Sequence, residues 1–138
     1  MQLVLDSNEY LFAFGVERKR SSETLLAAIA AVPDRYQLRI SRTIVEEVRR
    51  NTAPQRFREF WRFLQALGGV VDEDWEVPFE LGVRYESRGL KPGDAFIAAY
   101  TEWTGAEYLI TENRDFLSLT VLPFKVARAE EFLKKHSP

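Results

Sequence analysis

The sequence predicts a single α/β domain of three layers (α/β/α) built around a central, mostly parallel sheet. Two observations carry this expectation. Short apolar runs of strand length alternate with longer segments of helical spacing, as in βαβ units. Acidic residues recur where those runs end: Asp6 follows Leu3-Val4-Leu5, and Asp115, with Asn113 beside it, follows Tyr108-Leu109-Ile110-Thr111. A parallel sheet gathers the carboxyl ends of its strands along one edge, and α/β proteins bind ligands there.

Strands are expected at Gln2–Leu5, Gln37–Ile40, Val70–Val71, Glu107–Ile110 and about Pro123–Val126. After the first, Asp6-Ser7-Asn8 suits a helix cap. Ser21-Ser22-Glu23-Thr24 starts a helix whose apolar positions are Leu25, Leu26, Ile29 and Ala30, and Pro33-Asp34 ends it. Ser41 can cap the next helix, which turns Ile44, Val45 and Val48 to the core. From Pro54 to about Leu67, Phe57, Phe60, Trp61, Leu64 and Leu67 form the clearest amphipathic stripe in the chain, closed by Gly68-Gly69. Phe63 falls off that stripe and suggests a surface that covers a partner subunit, or packing under another helix of the same chain. Pro78 opens a helix that Gly89 closes. Lys91-Pro92-Gly93-Asp94 reads as a loop with Asp94 opening an Ala-rich helix, and a last helix runs from Arg128 to Lys135.

Composition narrows the chemistry. The 138 residues suit one domain, residues 1–138, with 46% hydrophobic and 29% charged content, ordinary for a soluble globular protein. The start enters a strand directly without the features of a signal peptide, and no apolar stretch approaches membrane-spanning length, so a cytoplasmic protein without membrane attachment is expected. The absence of cysteine excludes disulfides, zinc–thiolate sites and thiol nucleophiles. The one histidine, His136, reads as a solvated tail residue, so hydrolytic chemistry would fall to carboxylates and a metal. Nineteen basic residues against 21 acidic ones give a net charge of −2, a weak argument against nucleic acid. Local groups such as Arg18-Lys19-Arg20, Arg49-Arg50, Arg56, Arg58, Arg62, Arg84, Arg88 and Lys91 soften it, although each also reads as a solvated helix face.

Asp6, Glu47, Asp94 and Asp115 are the candidate catalytic group. Each has a plain structural reading: Asp6 and Asp94 as caps, Glu47 or its neighbour Glu46 as a solvated helix residue, Asp115 as part of a polar turn. Their joint placement at strand ends and adjoining helices favours a site. Carboxylates gathered in a cleft raise one another's pKa values, and a hard divalent cation removes the conflict. The expected chemistry is therefore metal-dependent hydrolysis.

Four segments then resemble the PIN-domain nucleases in order along nearly the whole chain. They are Leu5-Asp6-Ser7-Asn8, Ser41 followed six residues later by Glu47, Gly93 through Ala99, and Gly105 through Phe116 with its Thr111-Glu112-Asn113-Arg114-Asp115-Phe116 ending. The ending Ala129-Glu130-Glu131-Phe132-Leu133 is similar to the family's closing helix. The resemblance implies an acidic site of Asp6, Glu47, Asp94 and Asp115, with Asp6, Asp94 and Asp115 facing the metal and Asn8, Thr111 and Asn113 in support. It implies cleavage of RNA with Mg²⁺ or Mn²⁺, and, for VapC-like toxins, a homodimer and a partner antitoxin protein. Asn113 stands where many members carry a further Asp, which puts a second cation in question. Two other classes stay open: a non-catalytic PIN-like module that binds RNA or protein, and a haloacid-dehalogenase-like phosphatase. The phosphatase pattern is broken by Asn8 in Asp-x-Asp and by Ala98 where an Asp is expected.

Overall fold

A computed structural model describes residues 1–136, so Ser137 and Pro138 of the expected domain lie outside the described residues. Five strands form one sheet in the order β3-β2-β1-β4-β5. They are β1 (Gln2–Leu5), β2 (Gln37–Ser41), β3 (Val70–Asp72), β4 (Tyr108–Ile110) and β5 (Lys125–Ala127). Every pairing is parallel, in the registers Leu3 with Leu38 and Tyr108, Ile40 with Val71, and Leu109 with Val126. The expected "mostly parallel" sheet is thus wholly parallel among the described residues. Strands buried on both faces read as unbroken apolar runs, and Leu3, Val4, Leu5, Leu109 and Ile110 are all fully enclosed.

Helices cover both faces, giving the three-layer α/β/α architecture. One group comprises α1 (Ser7–Phe14), α2 (Arg20–Ala31), α3 (Arg42–Arg50), α4 (Pro54–Ala66) and α8 (Ala129–His136). A second pairs α5 (Phe79–Glu86) with α6 (Pro92–Thr104). The short α7 (Arg114–Leu117) follows β4, and a 3₁₀ turn, Asp74–Glu76, follows β3. The strand order places β1 in the centre, with the chain first winding outward to β3 and then returning to the other side of β1. The reversal falls between β1 and β4, which is where ligand crevices open in such sheets.

Three local expectations change. Helix α6 begins at Pro92 with Lys91 as its cap, so Asp94 lies inside the first turn rather than at the boundary. Proline suits that position because its missing N–H has no partner there in any helix. Helix α2 begins at Arg20, which leaves Ser22 inside it and buried. His136 is no solvated tail: it ends α8, stacks on Phe132 with centroids 4.5 Å apart, and lies 3.2 Å from the Tyr108 hydroxyl. Removal from water lowers its pKa, because the neutral ring suits that packing better than the cation. In α4 the centre of the stripe, Phe60 and Leu64, is buried, while Phe57, Trp61 and Leu67 are half-buried. Phe63 is half-buried too, 5.9 Å from the Phe14 ring of α1, so packing within the chain accounts for part of it.

Candidate acidic site at the β1–β4 edge

Asp6 leaves β1 at the reversal point. Its amide donates to the Ile110 carbonyl at 2.9 Å, which extends the β1–β4 ladder by one residue and fixes where its side chain emerges. One carboxylate oxygen accepts the Ser7 amide at 2.8 Å, capping α1; the other accepts the Thr111 hydroxyl at 2.8 Å. Asp6 therefore caps α1 with the same side chain that Thr111 holds. Thr111 is fully enclosed at the end of β4, and the Asn113 amide donates back to its hydroxyl at 3.0 Å.

Asp6 is only 7% exposed. Burial raises its pKa above the ordinary carboxylate value, the Thr111 and Ser7 hydrogen bonds oppose the rise, and the negative charges of Glu47 and Asp94 add to it. Glu47 of α3 and Asp94 of α6 thus both act on Asp6, which follows β1. Glu46 and Glu47 differ in their partners: Glu46 pairs with Arg49 at 3.5 Å, while Glu47 is the one whose charge reaches Asp6. Asn8, in the first turn of α1, is half-buried.

Asp115 stands apart in character. It is exposed in α7, its amide capped by Asn113 Oδ1 at 2.9 Å and its carbonyl accepting the Ser118 hydroxyl at 3.1 Å. The Asn113 side chain is thereby engaged as a helix cap. Two acids that the sequence pattern does not single out lie beside the site. Glu9 of α1 is fully buried, accepts the Ser22 hydroxyl at 3.0 Å, and feels the nearby carboxyl of Glu112, the residue after Thr111. Burial first, then Glu112, push the Glu9 pKa up to about 9, with Ser22 opposing. A glutamate inside an apolar face is the one sequence signal that could have marked it.

The donor set at this edge is entirely oxygen, which suits Mg²⁺ or Mn²⁺ and disfavours softer ions. Among the described residues no three His, Cys, Asp or Glu side chains stand close enough to cage an ion by themselves. Mg²⁺ commonly keeps several waters and takes only one or two protein carboxylates, so a buried Asp6 flanked by Glu47 and Asp94 fits such an ion.

Of the basic groups, Arg56 is engaged by Glu59 and by the Ala13 and Phe14 carbonyls at the end of α1, and Arg88 by the Thr120 carbonyl. Lys91 and Arg114 are exposed beside elements that carry site acids. On the α5–α6 side, Trp75 and Phe79 are 80% and 81% exposed. They border a cavity of about 540 Å³ lined also by Val77, Gly82, Val83 and Phe96.

A family model described as PIN domain matches residues 3–122. No curated protein matches the sequence. Among solved structures, a chain of VapBC2 from Rickettsia felis bound to a DNA fragment from their promoter aligns with TM-score 0.64 and 18% identity, over 91% of this chain and 97% of that one. FitAcB from Neisseria gonorrhoeae aligns with TM-score 0.61 and 15% identity, over 93% and 98%. FitAB bound to an IR36 DNA fragment gives 0.60 and 16%, over 92% and 94%. At these identities the likeness concerns the fold.

Proposed function

The chain belongs to the PIN domain family, whose members are generally nucleases, and from that premise we propose that it is a Mg²⁺- or Mn²⁺-dependent endoribonuclease. The observation that supports this best is the state of Asp6: buried, held only by neutral donors, and facing the charges of Glu47 and Asp94. An arrangement that raises the energy of the empty site is relieved by a divalent cation. Family membership sets the phosphatase alternative aside.

When bound, the cation supplies polarisation of a phosphoryl oxygen and a more acidic water for in-line attack. Asp6 and Asp94 would hold it, Glu47 would orient the attacking water and Asp115 would act from the solvent side. Thr111 and Ser7 fix the rotamer of Asp6 so that its oxygens need no reordering on binding, and Asn8 offers a further amide oxygen. Asn113, engaged as the α7 cap, supports a single principal cation better than two. Lys91 and Arg114 are suited to hold backbone phosphates without reading bases.

The reading extends to a toxin that works in the cytoplasm as a homodimer and is held by an antitoxin. The VapBC2 and FitAB likenesses support the class. The exposed Trp75 and Phe79 beside an apolar cavity offer the aromatic anchors that protein interfaces favour. Among the described residues no helix is long and apolar enough to cross a membrane. Incubation with single-stranded RNA and Mn²⁺, with and without chelator, tests the activity. Cleavage by the parent that stops with chelator and in Asp6→Asn is expected; chelator-resistant cleavage, or equal cleavage by the variant, would overturn the reading.

A further inference from the structure

Glu47 is placed by its helix alone: among the described residues no ion pair engages its carboxyl, and Asn51 bonds only its main-chain carbonyl. Where α3 begins therefore decides where Glu47 stands. Helix α3 already has a local cap, Ser41, whose hydroxyl accepts the Ile44 amide at 3.3 Å. A second cap reaches it from 31 positions along the chain. Half-buried Asp74, in the 3₁₀ turn after β3, accepts the Thr43 amide at 3.0 Å through Oδ1 and the Thr43 hydroxyl at 2.6 Å through Oδ2. Beside it, Glu73 accepts two bonds from the Arg42 guanidinium, at 2.9 and 3.4 Å. The β2–β3 ladder runs to Ser41 and Asp72, so this turn meets α3 directly as both chains leave the sheet.

We propose that Asp74 is a positioning residue for Glu47: it clamps the first turn of α3 and so fixes the carboxyl one turn further along. The role rests on the reading of Glu47 as the group that orients the attacking water. Thr43 and Glu47 are four residues apart and share one face of the helix. The core face of α3, Ile44, Val45 and Val48, packs through non-directional contacts, which let a helix turn or slide by small amounts. Hydrogen bonds are directional, and a pair of them to the main chain and side chain of one residue removes that freedom. A carboxylate also suits the partial positive charge of a helix N-terminus, which strengthens the clamp. The Arg42–Glu73 pair, more open to solvent, adds little of its own. Because Ser41 caps α3 without help from Asp74, loss of Asp74 should leave the helix formed but displaced.

Two readouts distinguish a failed clamp from a failed nuclease. The first is the ¹³C resonance of the Glu47 carboxyl in the metal-free protein. The second is the kcat and KM of RNA cleavage with Mn²⁺. Asp74→Ala removes both bonds to Thr43, so the resonance should move. Its kcat should fall about tenfold with KM within about twofold, since a displacement of about 1 Å costs on the order of a hundredfold. Asp74→Asn removes the charge but keeps an oxygen for the Thr43 amide and an N–H for its hydroxyl, and should retain near-parental values of both. In a Glu47→Gln background, Asp74→Ala should cost nothing further, because substitutions acting through one group are not additive. An unmoved resonance in folded Asp74→Ala would overturn the proposal. An equal shift in Asp74→Asn would overturn it too, assigning the effect to charge alone, as would a full further loss of kcat in the Glu47→Gln background. Should Asp74→Ala fail to fold, Thr43→Val removes the hydroxyl bond alone, and a parental resonance there would overturn the clamp equally. A parent that cleaves no RNA would sink the nuclease reading alone, leaving the resonance to decide the positioning.

Discussion

Asp6 and Asp72 are both 7% exposed, and both lie at the carboxyl ends of parallel strands along one edge of the sheet. Their surroundings differ in sign. Asp72 accepts two bonds from the Arg39 guanidinium, at 2.8 and 2.9 Å, and one from the Tyr100 hydroxyl at 2.6 Å. Contact with that carboxylate raises the Arg39 pKa, so the pair holds its charges firmly. Asp6 has the same burial but only an amide and a hydroxyl as donors, with two further acids acting on it. Burial of a carboxylate therefore does not mark a site by itself. A charge met by its opposite is architecture, whereas a charge left among like charges awaits a ligand.

The largest expected effect tests the architectural half. Asp72→Asn leaves Arg39 without its counter-charge and should cost about 3 kcal/mol, at the low end for breaking a buried pair because Arg39 retains some solvent. Asp6→Asn should cost the metal-free protein little or stabilise it, since a repelling charge is removed. Urea unfolding of both variants checks this, and equal losses would erase the distinction between the two aspartates.

Asp94→Asn should lower Mn²⁺-dependent RNA cleavage about a hundredfold or more, the scale seen when a group that stabilises developing charge is removed. Folded Asp72 variants should cleave near the parental rate per folded molecule. Loss of cleavage in a folded Asp72 variant would mean that the two ends of the sheet edge are not separate.

Smaller effects sharpen the boundary of the site. Asn113→Asp keeps a residue that caps helices well, so α7 should persist, and the added charge should tighten Mn²⁺ a few-fold at most. A gain of a hundredfold by calorimetry would place residue 113 among the inner ligands. On the far side, Trp75→Glu should dissociate the proposed homodimer in sedimentation, whereas Phe63→Glu, partly covered by Phe14, should leave it associated. The reverse order would return the interface to α4.

The smallest effect concerns His136. Its folded pKa is lowered, so its contribution to stability is complete above the unfolded value near 6.5 and is lost as pH falls through it. The parent should lose slightly more stability than His136→Gln between pH 7 and pH 5, and identical slopes would mean that the ring is hydrated.

Strand ends and helix faces were legible in the sequence because each depends on short-range pattern. Leu3-Val4-Leu5 before Asp6 and the stripe centred on Phe60 and Leu64 appear where periodicity places them. Thr111 was named as a supporting group only through family resemblance, and its contact with Asp6, 105 positions away, was not legible at all. What pattern cannot carry is the sign and identity of a distant partner. Nothing local to Asp72 announces Arg39 or Tyr100, nothing near Glu9 announces Glu112, and Glu46 and Glu47 look alike until Arg49 takes one of them. His136 was misread for the same reason, since a terminal position says nothing about Phe132 and Tyr108 waiting to cover the ring.

The central claim, that Asp6 is poised for a cation while Asp72 is already satisfied, is met most directly by calorimetric titration of Mn²⁺ into the parent, Asp6→Asn and Asp72→Asn under folding conditions. Binding by the parent and by folded Asp72→Asn, with loss in Asp6→Asn, is the predicted result. Undiminished binding by Asp6→Asn, or none by the parent, would contradict it.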